Sequence, residues 1–212
     1  MELYDEFDGE EILNIAMADG LSGTYSSAVA AAKSSDNEDH ITVLNSKTLC
    51  GPHRYMVERA AQMAKDGLSV PEIVSHMERL METAKSFLLP ADFDYLRRGG
   101  RLSPLVSFVG KTIKLAPVLT QSEDGRQLVM SGFKRSFKQA VAHVAKQLEA
   151  HVVGEGWRIY ITHAACKQLA MDARAALMVQ FPNAQYDILP LTPAFITQGG
   201  PGCIAIQVIR AL

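Results

Sequence analysis

An apolar run, Ile12-Leu13-Asn14-Ile15-Ala16-Met17-Ala18, leads into Gly20-Leu21-Ser22-Gly23-Thr24-Tyr25 and then into Ser26-Ser27-Ala28-Val29-Ala30-Ala31-Ala32-Lys33. The run is short and bounded by a turn, which reads as a buried strand. The alanine-rich stretch reads as a helix. A strand that turns directly into a helix places the chain among α/β folds. The turn itself has chemistry. A glycine-bracketed Ser/Thr pair offers two hydroxyls and several free backbone N–H groups at one point. That is a ready site for a carboxylate or a phosphate.

Strand and helix signals keep alternating. Ile41-Thr42-Val43-Leu44 predicts a strand, and Asn45-Ser46-Lys47-Thr48 a loop. A helix is expected from Pro52 to Lys65, stopping at Gly67. Ser69 and Glu72 around Pro71 form a capping-box pattern that starts the next helix. Its residues Ile73, Met77, Leu80, Met81 and Ala84 recur on one face. Phe87-Leu88-Leu89 predicts a strand, and Arg97-Arg98-Gly99-Gly100-Arg101 a basic loop broken by glycine. Ser103-Pro104 predicts the start of a helix that runs to Lys114. Strands are expected at 117–120 and 127–130, with a helix over 136–150. Trp157, Ile159 and Ile161 alternate with Arg158, Tyr160 and Thr162, as in a strand with one buried face. A helix over 167–180 and strands at 186–189 and 203–209 complete the pattern. Residues 196–202 are read as a linking loop. The chain thus divides into two α/β subdomains. Residues 1–85 would carry a short parallel sheet with flanking helices, and residues 86–212 a mixed sheet covered by helices.

Composition narrows the function. The chain has 212 residues, 48% of them hydrophobic, and a net charge of −2, so it can bury a real core and lacks the basic surface that nucleic-acid binding needs. No apolar run is long enough to span a membrane, and the acidic start is unlike a secretory signal. Cys50, Cys166 and Cys203 are odd in number and far apart. They predict free thiols and a cytoplasmic location rather than a disulfide framework. The six histidines show no metal-ligand spacing, so neither a metal nor a cofactor is expected.

Three segments could act together: Ser22-Gly23-Thr24, Tyr95-Leu96-Arg97-Arg98-Gly99-Gly100-Arg101-Leu102-Ser103, and Gln198-Gly199-Gly200-Pro201-Gly202. Each presents backbone or cationic donors that suit an anion. Alone, each is equally well read as a helix cap or a tight loop. In this order they resemble the DegV family of bacterial fatty-acid-binding proteins over residues 12–209. Leu21-Ser22-Gly23-Thr24-Tyr25 is similar to the family's Ser-Gly-Thr motif, and Asn45-Ser46-Lys47-Thr48 to its Asp-Ser loop, with Asn45 in the Asp place. The arginine segment is similar to its Tyr-Leu-x-x-Gly-Gly-Arg signature, and Gly199-Gly200-Pro201-Gly202 to its C-terminal Gly-Pro-Gly turn. Gln198 stands where members often carry His. The family's Thr-Ser-Gln-Pro-Ser loop has no counterpart here, and only Met1–Glu11 precede the first strand.

The resemblance implies a carrier and not an enzyme. It implies one long-chain fatty acid held between two α/β domains, tail buried and carboxylate at the Ser22 turn, and presented to a separate fatty-acid kinase. Ser22 would bind the carboxylate, Gly23 and Thr24 would shape the turn, and Arg101, Gln198, Gly199 and Gly200 would complete the site. So short a first sheet leaves open edges. A second copy of the chain covering them is therefore expected, or reduced stability. The alternative is a shortened relative that no longer binds lipid and acts only in protein association. Two further readings are weaker on the residues. Gly20-Leu21-Ser22-Gly23 departs by one place from the Gly-x-Ser-x-Gly of serine hydrolases, and His163, which could be imagined as the base, has no obvious acid to orient it. Neither nucleotide-binding glycine motif is present.

Overall fold

The computed structural model describes residues 2–7, 9–102 and 115–211; the helix expected over 103–114 lies outside the described residues. The strands are β1 (Ile12–Ala16), β2 (Ile41–Asn45), β3 (Lys85–Leu89), β4 (Ala116–Gln121), β5 (Leu128–Lys134), β6 (Trp157–His163), β7 (Gln185–Pro190) and β8 (Ile204–Arg210). The helices are α1 (Glu2–Asp5), α2 (Thr24–Lys33), α3 (Cys50–Lys65), α4 (Val70–Thr83), α5 (Phe93–Gly99), α6 (Phe137–Ala150), α7 (Lys167–Gln180) and α8 (Pro193–Gly199).

Two sheets result. β1 and β2 pair in parallel, with Ile12 opposite Ile41 and Ala16 opposite Asn45. The other six strands form a mixed sheet in the order β5-β4-β3-β8-β6-β7, parallel only between β6 and β7. The amphipathic helices α6 and α7 cover one face of it. Val141, Val144 and Leu148 of α6 and Ala170, Ala173 and Leu177 of α7 pack on Ile159, Ile161, Ile204 and Ile206. Helices α3 and α4 cover the other face and also meet the small sheet. Met56, Met77 and Leu80 pack on Tyr160 and Ile209 from one side and on Leu13, Ile15 and Leu44 from the other. The α3–α4 layer is thus shared by both sheets.

Local signals explain where these helices start. In α4 the Ser69 N–H and hydroxyl both donate to Glu72 Oε2, at 2.8 and 2.6 Å, so the capping box forms as the spacing predicts. In α6 the Ser136 hydroxyl accepts from Gln139 N–H.

Three sequence expectations differ from what is observed. Strand β6 is buried on both faces, because α3 covers the side that carries Tyr160 and Thr162, each only 2% exposed. The basic segment is mostly helical: Asp92 caps α5 by accepting from Asp94 N–H, and Gly100, at φ 70°, ends it in the left-handed region. Residues 193–199 form a helix that starts at Pro193, where a missing N–H costs nothing.

Candidate functional site

A cavity of about 350 Å³ lies between the loops that follow β1 and β2 and the β3–β8 strip of the large sheet. That volume is in the range of small-molecule pockets, roughly 300–1,000 Å³. Its walls are mostly apolar, with Met17 and Leu21 after β1, Leu49 before α3, Leu96 on α5 and Phe195 on α8.

The floor follows from strand register. Alternate residues of a strand share a face. Ser86 and Leu88 of β3 pair with Gln207 and Ala205 of β8, and all four line the cavity, as does Cys203 just ahead of β8. Leu89, Ile204, Ile206 and Val208 belong to the core beneath α6 and α7.

Hydroxyl, guanidinium and amide groups also reach the cavity. Ser22 Oγ accepts from Thr24 N–H at 3.2 Å and lies 2.6 Å from Thr24 Oγ1. If Thr24 donates there too, the Ser22 proton is left for an incoming acceptor. Arg101 holds this turn. Its Nε donates to the Leu21 carbonyl at 3.2 Å, and its Nη1 donates to the Gly99 carbonyl. Among the described residues it pairs with no carboxylate. Gln198 packs its buried Oε1 against Gly99, where it has no hydrogen-bond partner among the described residues, and a Cβ at Gly99 would make this side chain shift.

The structure brings Ser22, Thr24, Arg101, Gln198 and Gly199 to one cavity, although they are far apart in the chain. Gly23 and Gly200 do not line it. Gly23 is the exposed residue preceding α2. Gly200 has φ 80°, and a Cβ there would come within 2.9 Å of the Tyr95 ring, so it lets α8 dock on α5.

Asn45, matched to the family's Asp-Ser loop, has a structural role here, while Ser86 and Gln207 were not visible in the sequence. Asn45 Oδ1 accepts from Asp19 N–H at 3.2 Å and from Lys47 N–H at 3.0 Å, which ties the loops after β1 and β2 together. Ser86 and Gln207 meet only through the β3–β8 pairing. A hydrophobic strand with one polar residue facing inward was the available signal. The imagined hydrolase pair is not assembled: Thr24 is the hydroxyl partner of Ser22, and His163 is not among the cavity-lining residues.

The three cysteines are free thiols, and Cys50 and Cys203 line the cavity. Burial, and then the proximity of Cys203, pushes Cys50 up to about 12. Burial, and then Cys166, pushes Cys203 up to about 11. The thiolate is the reactive form, so both should resist alkylation at neutral pH. Iodoacetamide labelling followed by mass spectrometry should modify them roughly a hundredfold more slowly in the native protein than in the unfolded chain. Equal rates would contradict this. Among the described residues, no group of three His, Cys, Asp or Glu side chains could hold a metal ion, and no helix is long and apolar enough to cross a membrane.

A family model described as an uncharacterised protein of the DegV family matches residues 1–211. A DegV domain-containing protein of Staphylococcus aureus (strain N315) is 28% identical over 211 residues, covering 98% of this chain and 74% of the relative. Among solved structures, DegV of Bacillus subtilis, described as a fatty acid binding protein, aligns with a TM-score of 0.84 at 26% identity, covering 99% of this chain and 74% of that one. A DegV lipid binding protein of Thermotoga maritima aligns with a TM-score of 0.85 at 25% identity, covering 99% and 72%. By its sequence model, its relatives and its fold, the chain belongs to the DegV family.

Proposed function

We propose that this protein is a non-catalytic carrier that holds one long-chain fatty acid between its 1–85 and 86–212 halves. One observation carries the reading: an apolar cavity whose lining includes Ser22, Thr24, Arg101 and Gln198. The two structural neighbours named above, described as fatty-acid-binding and lipid-binding, support it. In this reading the carboxylate takes the Ser22 hydroxyl, with Thr24 and Gly23 shaping the turn and Arg101 holding it. Gln198, Gly199 and Gly200 close that end. The tail supplies most of the affinity, at about 0.8 kcal/mol per buried CH₂.

A fatty-acid kinase is the proposed recipient of the cargo. The exposed Arg97 and Arg98 on α5 give that docking an electrostatic basis, because a basic face steers an acidic partner. A second copy of the chain is the proposed cover for the edges of the β1–β2 sheet, where each strand has one neighbour among the described residues. The three free thiols are in keeping with a cytoplasmic home.

Native mass spectrometry of the purified protein, followed by lipid extraction, tests the carrier reading. One equivalent of fatty acid per chain is expected. Protein that carries none and takes up no added long-chain acid would overturn it.

A further inference from the structure

The β3–β8 floor of the cavity is apolar except for one pair; Gln121 of β4 also lines the cavity, but its Nε2 donates to the Lys47 and Gly125 carbonyls. Gln207, 1% exposed, and Ser86, 9% exposed, face each other across β8 and β3 and both line the cavity. The orientation of the Gln207 amide is set by its surroundings. Its Oε1 accepts from Gly51 N–H at 3.3 Å, and its Nε2 donates to the Leu49 carbonyl at 3.0 Å. An amide turned the other way would set N–H against N–H and oxygen against oxygen. Nε2 therefore also donates to Ser86 Oγ, at 2.9 Å. The serine is an acceptor in that bond, so its own proton remains uncommitted. Among the described residues no acceptor takes it. Ser86 Oγ and Gln207 Oε1 each keep a spare lone pair as well.

A donor and acceptors side by side in an apolar wall match an alcohol, which is both. A plain hydrocarbon tail would leave the Ser86 proton buried and unpaired, which is unfavourable. The position is also informative. Gly199 packs on Cys203, where a Cβ would come within 2.8 Å of Sγ, so the Gln198–Gly199 end of the cavity lies beside Cys203. Gln207, in β8, is four residues on from Cys203, a distance of about 13 Å for extended chain. The polar pair therefore meets a bound acid away from the Gln198–Gly199 end of the cavity.

We propose that Ser86 and Gln207 form a mid-chain hydroxyl subsite, which makes the preferred cargo a fatty acid oxygenated within its tail. This rests on the carrier reading. Competition binding with stearate, 2-hydroxystearate, 10-hydroxystearate and 12-hydroxystearate tests it on the wild-type protein and on Ser86→Ala. The wild type should bind one of the mid-chain hydroxy acids at least about tenfold more tightly than stearate, and 2-hydroxystearate should show no such gain. In Ser86→Ala that ratio should fall to about one. A melting curve reports whether the variant is folded, and Ser86→Thr, which keeps the hydroxyl, should retain part of the preference if alanine does not fold. Stearate bound as well as or better than every hydroxy acid, or a ratio that survives Ser86→Ala, would overturn the subsite while leaving the carrier intact. A preference for a cis-unsaturated acid of the same length over the hydroxy acids would also overturn it. Binding of no fatty acid at all would overturn both.

Discussion

Replacing Gly51 with alanine should lower the melting temperature by about 6–12 °C, the result of a loss of about 3 kcal/mol in a chain of this size. Gly51 is the second residue of α3 and rests against the ring of Tyr160, so an added Cβ would overlap ring carbons and reach within 2.7 Å of Cδ1. Neither side can yield cheaply. Tyr160 is 2% exposed in the middle of β6, and Gly51 N–H is tied to Gln207 Oε1. The helix must therefore lift from the sheet, which opens the packing of Met56 and Tyr55 behind it. Lifting α3 also pulls Leu49 and Gly51 off Gln207, so fatty-acid affinity should fall together with stability. Gly154→Ala is the control. Nothing lies within 4 Å of a Cβ there, and its melting temperature should move by no more than about 2 °C. A Gly51→Ala protein that melts with the wild type would refute the close packing of α3 on β6.

The second large effect concerns binding. Under the carrier reading, Ser22→Ala should weaken long-chain fatty-acid binding by about ten- to a hundredfold, because a hydrogen bond to a charged group contributes roughly 1.5–3 kcal/mol. The loss will not be total, since the tail is untouched and Thr24 is released. Without Ser22 Oγ, both the Thr24 N–H and hydroxyl lose their partner and can turn to the carboxylate. Ser22→Ala combined with Thr24→Val should therefore lose more than Ser22→Ala alone. The turn is half-exposed, so the single variant should melt within about 4 °C of the wild type. Isothermal titration with palmitate reads the affinity directly. Unchanged affinity in the double variant would remove the carboxylate from this turn.

The parts of the fold that were legible in the sequence are those set by local rules. The capping box of Ser69 and Glu72, the helix over 167–180 and the parallel pair β1–β2 all follow from spacing or from a strand running into a helix. The short helices α5 and α8 are hard to see in sequence, because each has only seven residues and ends in glycine, which marks loops. Asp92 and Pro193, as cap and first-turn residues, were the better signals. The site divides the same way. Ser22, Thr24, Arg101, Gln198 and Gly199 belong to motifs with glycine nearby, and so could be picked out. Ser86 and Gln207 sit in ordinary strand sequence, and only the pairing of β3 with β8 gives them a common purpose. That register joins residues 121 positions apart in the chain. The second face of β6 was hidden for a similar reason: burial there comes from α3, a partner that no window around Tyr160 contains.

Strand order has one consequence for how the molecule comes into being. β8 is made after every other described strand, yet it lies between β3 and β6. On the ribosome, β3-β4-β5 and β6-β7 can form separately as two half-sheets, but nothing joins them until β8 inserts. It must pair antiparallel on both sides at once, a long-range step that is slow compared with hairpin closure. The same strand brings Ala205 and Gln207 to the cavity floor, so a nascent chain has nowhere to put a ligand. Under the carrier reading, assembly of the cavity and insertion of β8 are thus one event, and a ligand can enter only once β8 is in place.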